Sequence, residues 1–243
     1  MNSRVHFCTA VLLLEMLLLI AAAKCAEPSG LTNSATTIPK GEEALISTIE
    51  HEFPSKVGHD EDGKVRFLDV PYRYVSNGNL ALIGQCASLR ELKLQLSSRN
   101  PVTSAGIENL SRIPGLEKLT IMCPHVLQDG LFEAVTKLKT VRSLALNLAD
   151  PLSSEYSFLT NMAQLRELTI VEAPHFGNTQ ALMALNLPSL TKLTLANTSV
   201  SYTLLSAVSK SAGLTNVTII SSHGGGGETV VWTKEEPVKW RNP

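Results

Sequence analysis

The stretch Leu89-Arg90-Glu91-Leu92-Lys93-Leu94 decides the fold, because its spacing of apolar residues, L-x-x-L-x-L, returns along the chain. The first residues of the seven copies are Val65, Leu89, Leu116, Val141, Leu165, Leu190 and Leu214. Successive copies begin 24, 27, 25, 24, 25 and 24 residues apart. Self-similarity at a fixed period of this size is the signature of a repeat protein.

A second periodicity precedes the copies. The residues nine, six and three positions before a copy are apolar, as in Leu80, Ile83 and Cys86, in Ile107, Leu110 and Ile113, in Phe132, Val135 and Leu138, in Tyr156, Leu159 and Met162, and in Ala181, Ala184 and Leu187. Spacing of three to four is typical of helical turns, whereas alternation is typical of strands. We therefore predict an α/β solenoid, with a curved parallel β-sheet on its concave face and short helices on its convex face.

The two ends of the repeat array differ from its middle. Residues 42–63 are predicted to form an N-terminal helical cap, because Leu45, Ile49 and Phe53 recur at helical spacing before a turn at 60–63. The repeats occupy 64–222, with about seven strands. Residues 223–243 are predicted to contain a Gly-rich joint and a C-terminal cap strand, since a β-rich stretch follows four glycines.

The N-terminal residues have the pattern of an export signal. Arg4 precedes an apolar run at 11–23, which small residues follow. We expect a signal peptide at 1–26 and a flexible linker at 27–41, and therefore an exported protein, periplasmic or extracellular. The apolar run is short for a membrane span, so we favour removal over retention as an anchor and expect no stable span afterwards.

The composition argues against several classes of function. The chain has 21 Lys and Arg against 22 Asp and Glu, with no basic cluster, which argues against a nucleic-acid partner. Histidines are scattered through predicted caps and loops, outside any nucleophile or metal motif, at His51, His59, His125, His175 and His223. We expect a protein that is not an enzyme and has no cofactor or metal.

The turns before the helices resemble those of a known family. The matching stretches are Ser76–Leu80, Thr103–Ile107 and 127–131, preceded by an Ala-Leu-Ile-x-x-Ile helix at 44–49. Over 42–222 the chain resembles exported bacterial leucine-rich-repeat proteins with ribonuclease-inhibitor-like helix and strand repeats. It departs from the broader family in lacking the usual asparagine after each strand. The resemblance implies a binding or scaffolding role.

The outward strand positions, the third and fifth of each copy, are the candidate binding surface. Those we single out are Glu91, Lys93, Lys118, Thr120, Glu167, Thr169, Lys192, Thr194, Asn216 and Thr218. They predict a shallow polar groove, although threonines and alternating charges also suit any exposed sheet. We expect a non-catalytic protein that binds an unknown protein or cell-envelope macromolecule through its concave face. The alternative is a structural or scaffolding cell-envelope protein without a discrete ligand.

Overall fold

The chain divides into two units, Met1–Ile38 and Pro39–Pro243. The computed structural model describes residues 41–53, 56–97, 101–123, 130–148, 153–173, 176–198, 207, 211, 213–221 and 228–233. All of them belong to the second unit. The predicted signal peptide, residues 27–40 of the predicted linker and the predicted Gly-rich joint lie outside the described residues.

The described residues form one sheet of nine strands, which follow one another in chain order. Strands β2 to β8 pair in parallel, whereas β1 and β9 pair antiparallel at the two edges. The strands are β1 Val57–His59, β2 Val65–Val70, β3 Glu91–Gln95, β4 Lys118–Cys123, β5 Ser143–Leu148, β6 Glu167–Val171, β7 Lys192–Ala196, β8 Asn216–Ser221 and β9 Glu228–Thr233. The seven parallel strands coincide with the seven copies of the sequence pattern.

Short helices alternate with the parallel strands. The α-helices are α1 Glu42–Glu52, α2 Asn77–Ile83, α3 Ser104–Glu108, α4 Leu131–Thr136 and α5 Asn178–Leu185. The 3₁₀-helices are Tyr72–Tyr74, Asn109–Arg112 and Ser153–Asn161. The described part of the chain is therefore an α/β fold of strand-and-helix units, an arrangement compatible with a repeat solenoid.

The core lies between the strands and the helices. Leu92 and Leu94 of β3 are fully buried, while their neighbours Glu91, Lys93 and Gln95 are only half-buried. The fifteen apolar residues at positions nine, six and three before the copies are all buried, and they join the strand leucines in one cluster. Each buried aliphatic side chain contributes roughly 1.5–3 kcal/mol to the free energy of folding, and this contribution drives the packing. The alternation of strands and short helices predicted from the two periodicities is confirmed.

Polar side chains connect successive repeats at their turns. Ser76 caps α2, because its hydroxyl accepts the Asn79 backbone N–H at 3.2 Å. The Asn77 amide reaches the next repeat, where its Oδ1 accepts the Thr103 backbone N–H at 3.1 Å and its Nδ2 donates to the Thr103 hydroxyl at 3.1 Å. One amide thereby satisfies two groups of the neighbouring helix start.

The N-terminal end combines the predicted helix with an unpredicted hairpin. Helix α1 buries Leu45 and Ile49 completely. After it, β1 returns antiparallel against β2 through a turn in which Gly63 has φ 74°. The Asp60 carboxylate accepts the Lys64 backbone N–H at 2.8 Å, and this bond, followed by the one from Arg66, holds the pKa of Asp60 below its ordinary value.

At the other end, strand β9 pairs antiparallel with β8 from Asn216↔Thr233 to Ser221↔Glu228. No described helix combines the length and the hydropathy that crossing a bilayer requires.

Candidate binding surface on the sheet

The parallel register aligns equivalent residues of the repeats in rows across the sheet. The third-position row contains Phe67, Glu91, Lys118, Ser143, Glu167, Lys192 and Asn216. The fifth-position row contains Asp69, Lys93, Thr120, Ala145, Thr169, Thr194 and Thr218. We call these two rows the strand face. Because neighbouring strands lie about 4.8 Å apart, each row extends over about 29 Å.

The candidate residues differ in how far solvent reaches them. Lys118 and Lys192 are exposed, and most of the others are half-buried. Thr194 is different, because only 8% of it is exposed. It lies between Thr169 and Thr218 on the neighbouring strands, which leaves its short side chain little contact with solvent. Thr194 therefore contributes little to an accessible surface, contrary to its outward position in the sequence pattern.

Side chains of the third-position row contact one another across neighbouring strands. Lys118 Nζ lies 3.5 Å from Glu91 Oε2 on the neighbouring strand. The Ser143 hydroxyl donates to Glu167 Oε2 at 3.2 Å. Exposed ion pairs of this kind contribute only about 0–1 kcal/mol to stability. The fold therefore depends little on these charges.

At the β2 end of the fifth-position row, Asp69 gathers a compact polar cluster. The residue is only 6% exposed, and its carboxylate accepts from Lys56 Nζ at 2.6 Å and Gln95 Nε2 at 3.0 Å. Lys93 Nζ lies 3.5 Å away. This carboxylate has its partners within the chain, so Lys93 serves the structure as well as the surface. Lys56 could not be predicted as a member of this cluster, because its place depends on strand β1.

A further row, at the seventh position of the last six copies, continues the outward side of the sheet. It contains Gln95, Met122, Asn147, Val171, Ala196 and Ile220. Its last three residues are apolar, which makes this side of the sheet more apolar toward β8. The repeat spacing contains the signal for this row, which lies two residues beyond the predicted fifth position.

Two of the five histidines considered above, His51 and His59, lie among the described residues. Within them, no group of three or more His, Cys, Asp and Glu side chains is arranged to hold a metal ion. His59 and His51 both belong to the N-terminal end of the fold, and His59 Nδ1 lies 3.8 Å from Glu50 Oε1. The other three histidines considered above lie outside the described residues.

No protein-family model matches this chain, and no curated protein matches it either. The functional interpretation therefore depends on the geometry of the sheet and on the sequence pattern.

Proposed function

We propose that this chain is an exported, non-catalytic leucine-rich-repeat solenoid that binds a protein partner through the strand face and its flanking loops. The observation that carries the proposal is the register of β2 to β8, which places equivalent polar side chains of seven repeats side by side. A row of outward side chains on parallel strands is a rigid, preorganised contact surface.

The energetics of the third-position row support this role. Glu91, Lys118 and Glu167 make contacts of small value to the fold. Their charges alternate in sign, which favours a partner with charges of both signs and disfavours a polyanion. Charges that stability does not require are available for recognition.

The size of the strand face indicates what kind of partner fits. Seven strands about 4.8 Å apart, with two outward positions that take up about 13 Å along each strand, cover about 400 Å². A stable protein interface buries about 800 Å² on each partner. The partner must therefore also contact the loops that follow the carboxyl ends of the strands or the seventh-position row.

Charge reversal on the strand face tests the proposal. We expect the chain from Glu27 to capture a partner from the exported fraction of its native cells. The double variant Lys118→Glu and Lys192→Glu should lower the affinity for the partner about tenfold or more. Each reversed lysine loses a charge contact with the partner worth about 1 kcal/mol, and about 1.4 kcal/mol corresponds to a factor of ten. Affinity is measured by biolayer interferometry with the captured partner, and the folded state is checked by circular dichroism.

The matched control is Lys137→Glu with Lys139→Glu, which makes the same change of net charge at two exposed lysines that follow helix α4. This control should bind the partner as the unaltered chain does. An equal loss of affinity in both double variants would show that net charge alone causes the effect. No loss of affinity in either would show that the strand face is not part of the interface. Self-association without a partner would support the scaffolding alternative.

A further inference from the structure

A second polar feature lies where the parallel strands begin, one residue before the third-position row. The second residues of five successive copies are Arg66, Arg90, Glu117, Arg142 and Arg166. Backbone hydrogen bonds join them in order, since Glu117 N–H donates to Arg90 O at 2.9 Å, Arg142 N–H to Glu117 O at 2.8 Å, and Arg166 N–H to Arg142 O at 2.7 Å. Four arginines thus stand in a row at the end of the sheet where the parallel strands begin.

Three of these arginines, together with Glu117, line an open cleft of about 480 Å³, which we call the edge cleft. Its wall includes Arg90, Gly115, Glu117, Arg142 and Arg166. Three guanidinium groups and one carboxylate give the described lining a net charge of +2, whereas the whole chain has a formal net charge of −1. The edge cleft is therefore a local concentration of positive charge in a nearly neutral protein.

The distribution of charge within the edge cleft is uneven. In backbone order Glu117 stands between Arg90 and Arg142, while Arg142 and Arg166 are direct neighbours, each one residue before its strand, β5 or β6. Like charges directly opposite each other on adjacent strands destabilise a sheet. Both side chains line the edge cleft, so an anion bound there would offset the repulsion between their charges, and the planar fork of arginine suits the oxygens of phosphate or sulfate.

Two of the arginines are held in place by the surrounding backbone. Arg142 Nη1 donates to the carbonyl oxygens of Lys139 at 3.2 Å and Gln164 at 3.4 Å. The Arg90 guanidinium occupies the space beside Gly115, where a β-carbon would lie only 0.9 Å from its Nη1. Both arginines are half-buried. Donors held in this way lose less conformational entropy when a ligand binds.

The first arginine of the row shows what a purely structural role looks like. Arg66 donates from Nη1 to Ser88 O at 3.0 Å, and Asp60 neutralises it through a bond of 2.6 Å from Nε. Arg142 makes the equivalent carbonyl contact to Gln164. The acidic residue of the described cleft lining is Glu117 alone, facing three arginines. The positive charge of the cleft arginines is therefore only partly balanced by the acidic side chain of the described lining.

We propose that the edge cleft is a binding site for a tetrahedral oxyanion of the phosphate or sulfate class, held between Arg142 and Arg166 with Arg90 as a third contact. The anion is either free or carried as an ester on a larger molecule. This site is separate from the strand face, since its residues occupy the second position of the copies.

The test is a titration of the full chain with inorganic phosphate at low ionic strength. Nuclear magnetic resonance monitors the chemical shifts of the arginine Nε–H groups and of the Gly115 amide during the titration. We expect saturable shifts with a dissociation constant of about 1 mM. Arg166→Gln should raise this constant about tenfold. Gly115→Ala should raise it as well, because the new methyl group displaces the Arg90 guanidinium.

Arg112→Gln is the matched control, because Arg112 is exposed on the 3₁₀-helix Asn109–Arg112 and does not line the cleft. It should leave phosphate binding unchanged. Phenyl phosphate distinguishes the sources of the anion, since tighter binding of the ester indicates a ligand larger than the anion and equal binding indicates the free anion. Shifts that do not saturate, or equal weakening by Arg112→Gln and Arg166→Gln, would overturn the proposal.

Discussion

Leu144→Ala is expected to lower the free energy of unfolding by about 2–5 kcal/mol, the range for removing a buried leucine side chain. Leu144 is 1% exposed and lies on β5, the middle strand of the sheet. Its register partners Leu119 and Leu168 are equally buried. Strands on both sides prevent the cavity from collapsing, so the upper half of the range is the more suitable expectation. Urea denaturation followed by circular dichroism measures the change.

The adjacent residue provides the control for this substitution. Ser143 points to the opposite side of the same strand, where its hydroxyl makes one hydrogen bond to Glu167. Ser143→Ala should therefore cost about 1 kcal/mol or less. If the two substitutions cost the same, the inward and outward sides of β5 are assigned incorrectly.

Gly84→Ala should destabilise the protein by about 1–3 kcal/mol, although alanine is ordinarily the better helix residue. Gly84 has φ −59° at the end of α2, a conformation open to any residue, so its backbone angles do not explain the glycine. The reason is space, because a β-carbon there would lie 2.5 Å from the carbonyl oxygen of Asn109 in the next repeat. The backbone of one repeat would have to move away from the other.

Gly78 lies in the same helix and gives the opposite expectation. A β-carbon at Gly78 would be 4.0 Å from its nearest neighbour, the Ser76 hydroxyl, and the residue is exposed. Gly78→Ala should be neutral or stabilise the protein by about 0.4–1 kcal/mol. Thermal unfolding of both variants measures the contrast. A stabilising Gly84→Ala would show that successive repeats are not in such close contact.

The strands and their register could be predicted because every repeat carries the same information. Leu92 and Leu94 alternate with polar residues, and the same positions recur in each copy, so neighbouring strands have one consistent alignment. Strand β1 could not be predicted, because Val57-Gly58-His59 has a single apolar side chain and no alternation. The turn that follows it, rather than its own residues, sets its pairing with β2.

The candidate surface was predicted as rows, but not the contacts within the rows. Repeat position says which side of the sheet a residue occupies, and it says nothing about neighbours that come from outside the repeats. Lys56 reaches Asp69 from the unpredicted hairpin. The shielding of Thr194 depends on three strands together. The arginines of the second position were visible in the sequence, although only the structure shows the cleft that they line.

The central claim, that a partner binds on the strand face, is tested most directly by lysine footprinting of the complex. Lysines are labelled with an acetylating reagent in the free chain and in the complex, and the extent of labelling is measured by mass spectrometry. We expect labelling at Lys118 and Lys192 to fall in the complex, while labelling at Lys137 and Lys139 does not change. Protection of Lys137 and Lys139 with continued labelling of Lys118 and Lys192 would contradict the claim and place the interface on the helical side.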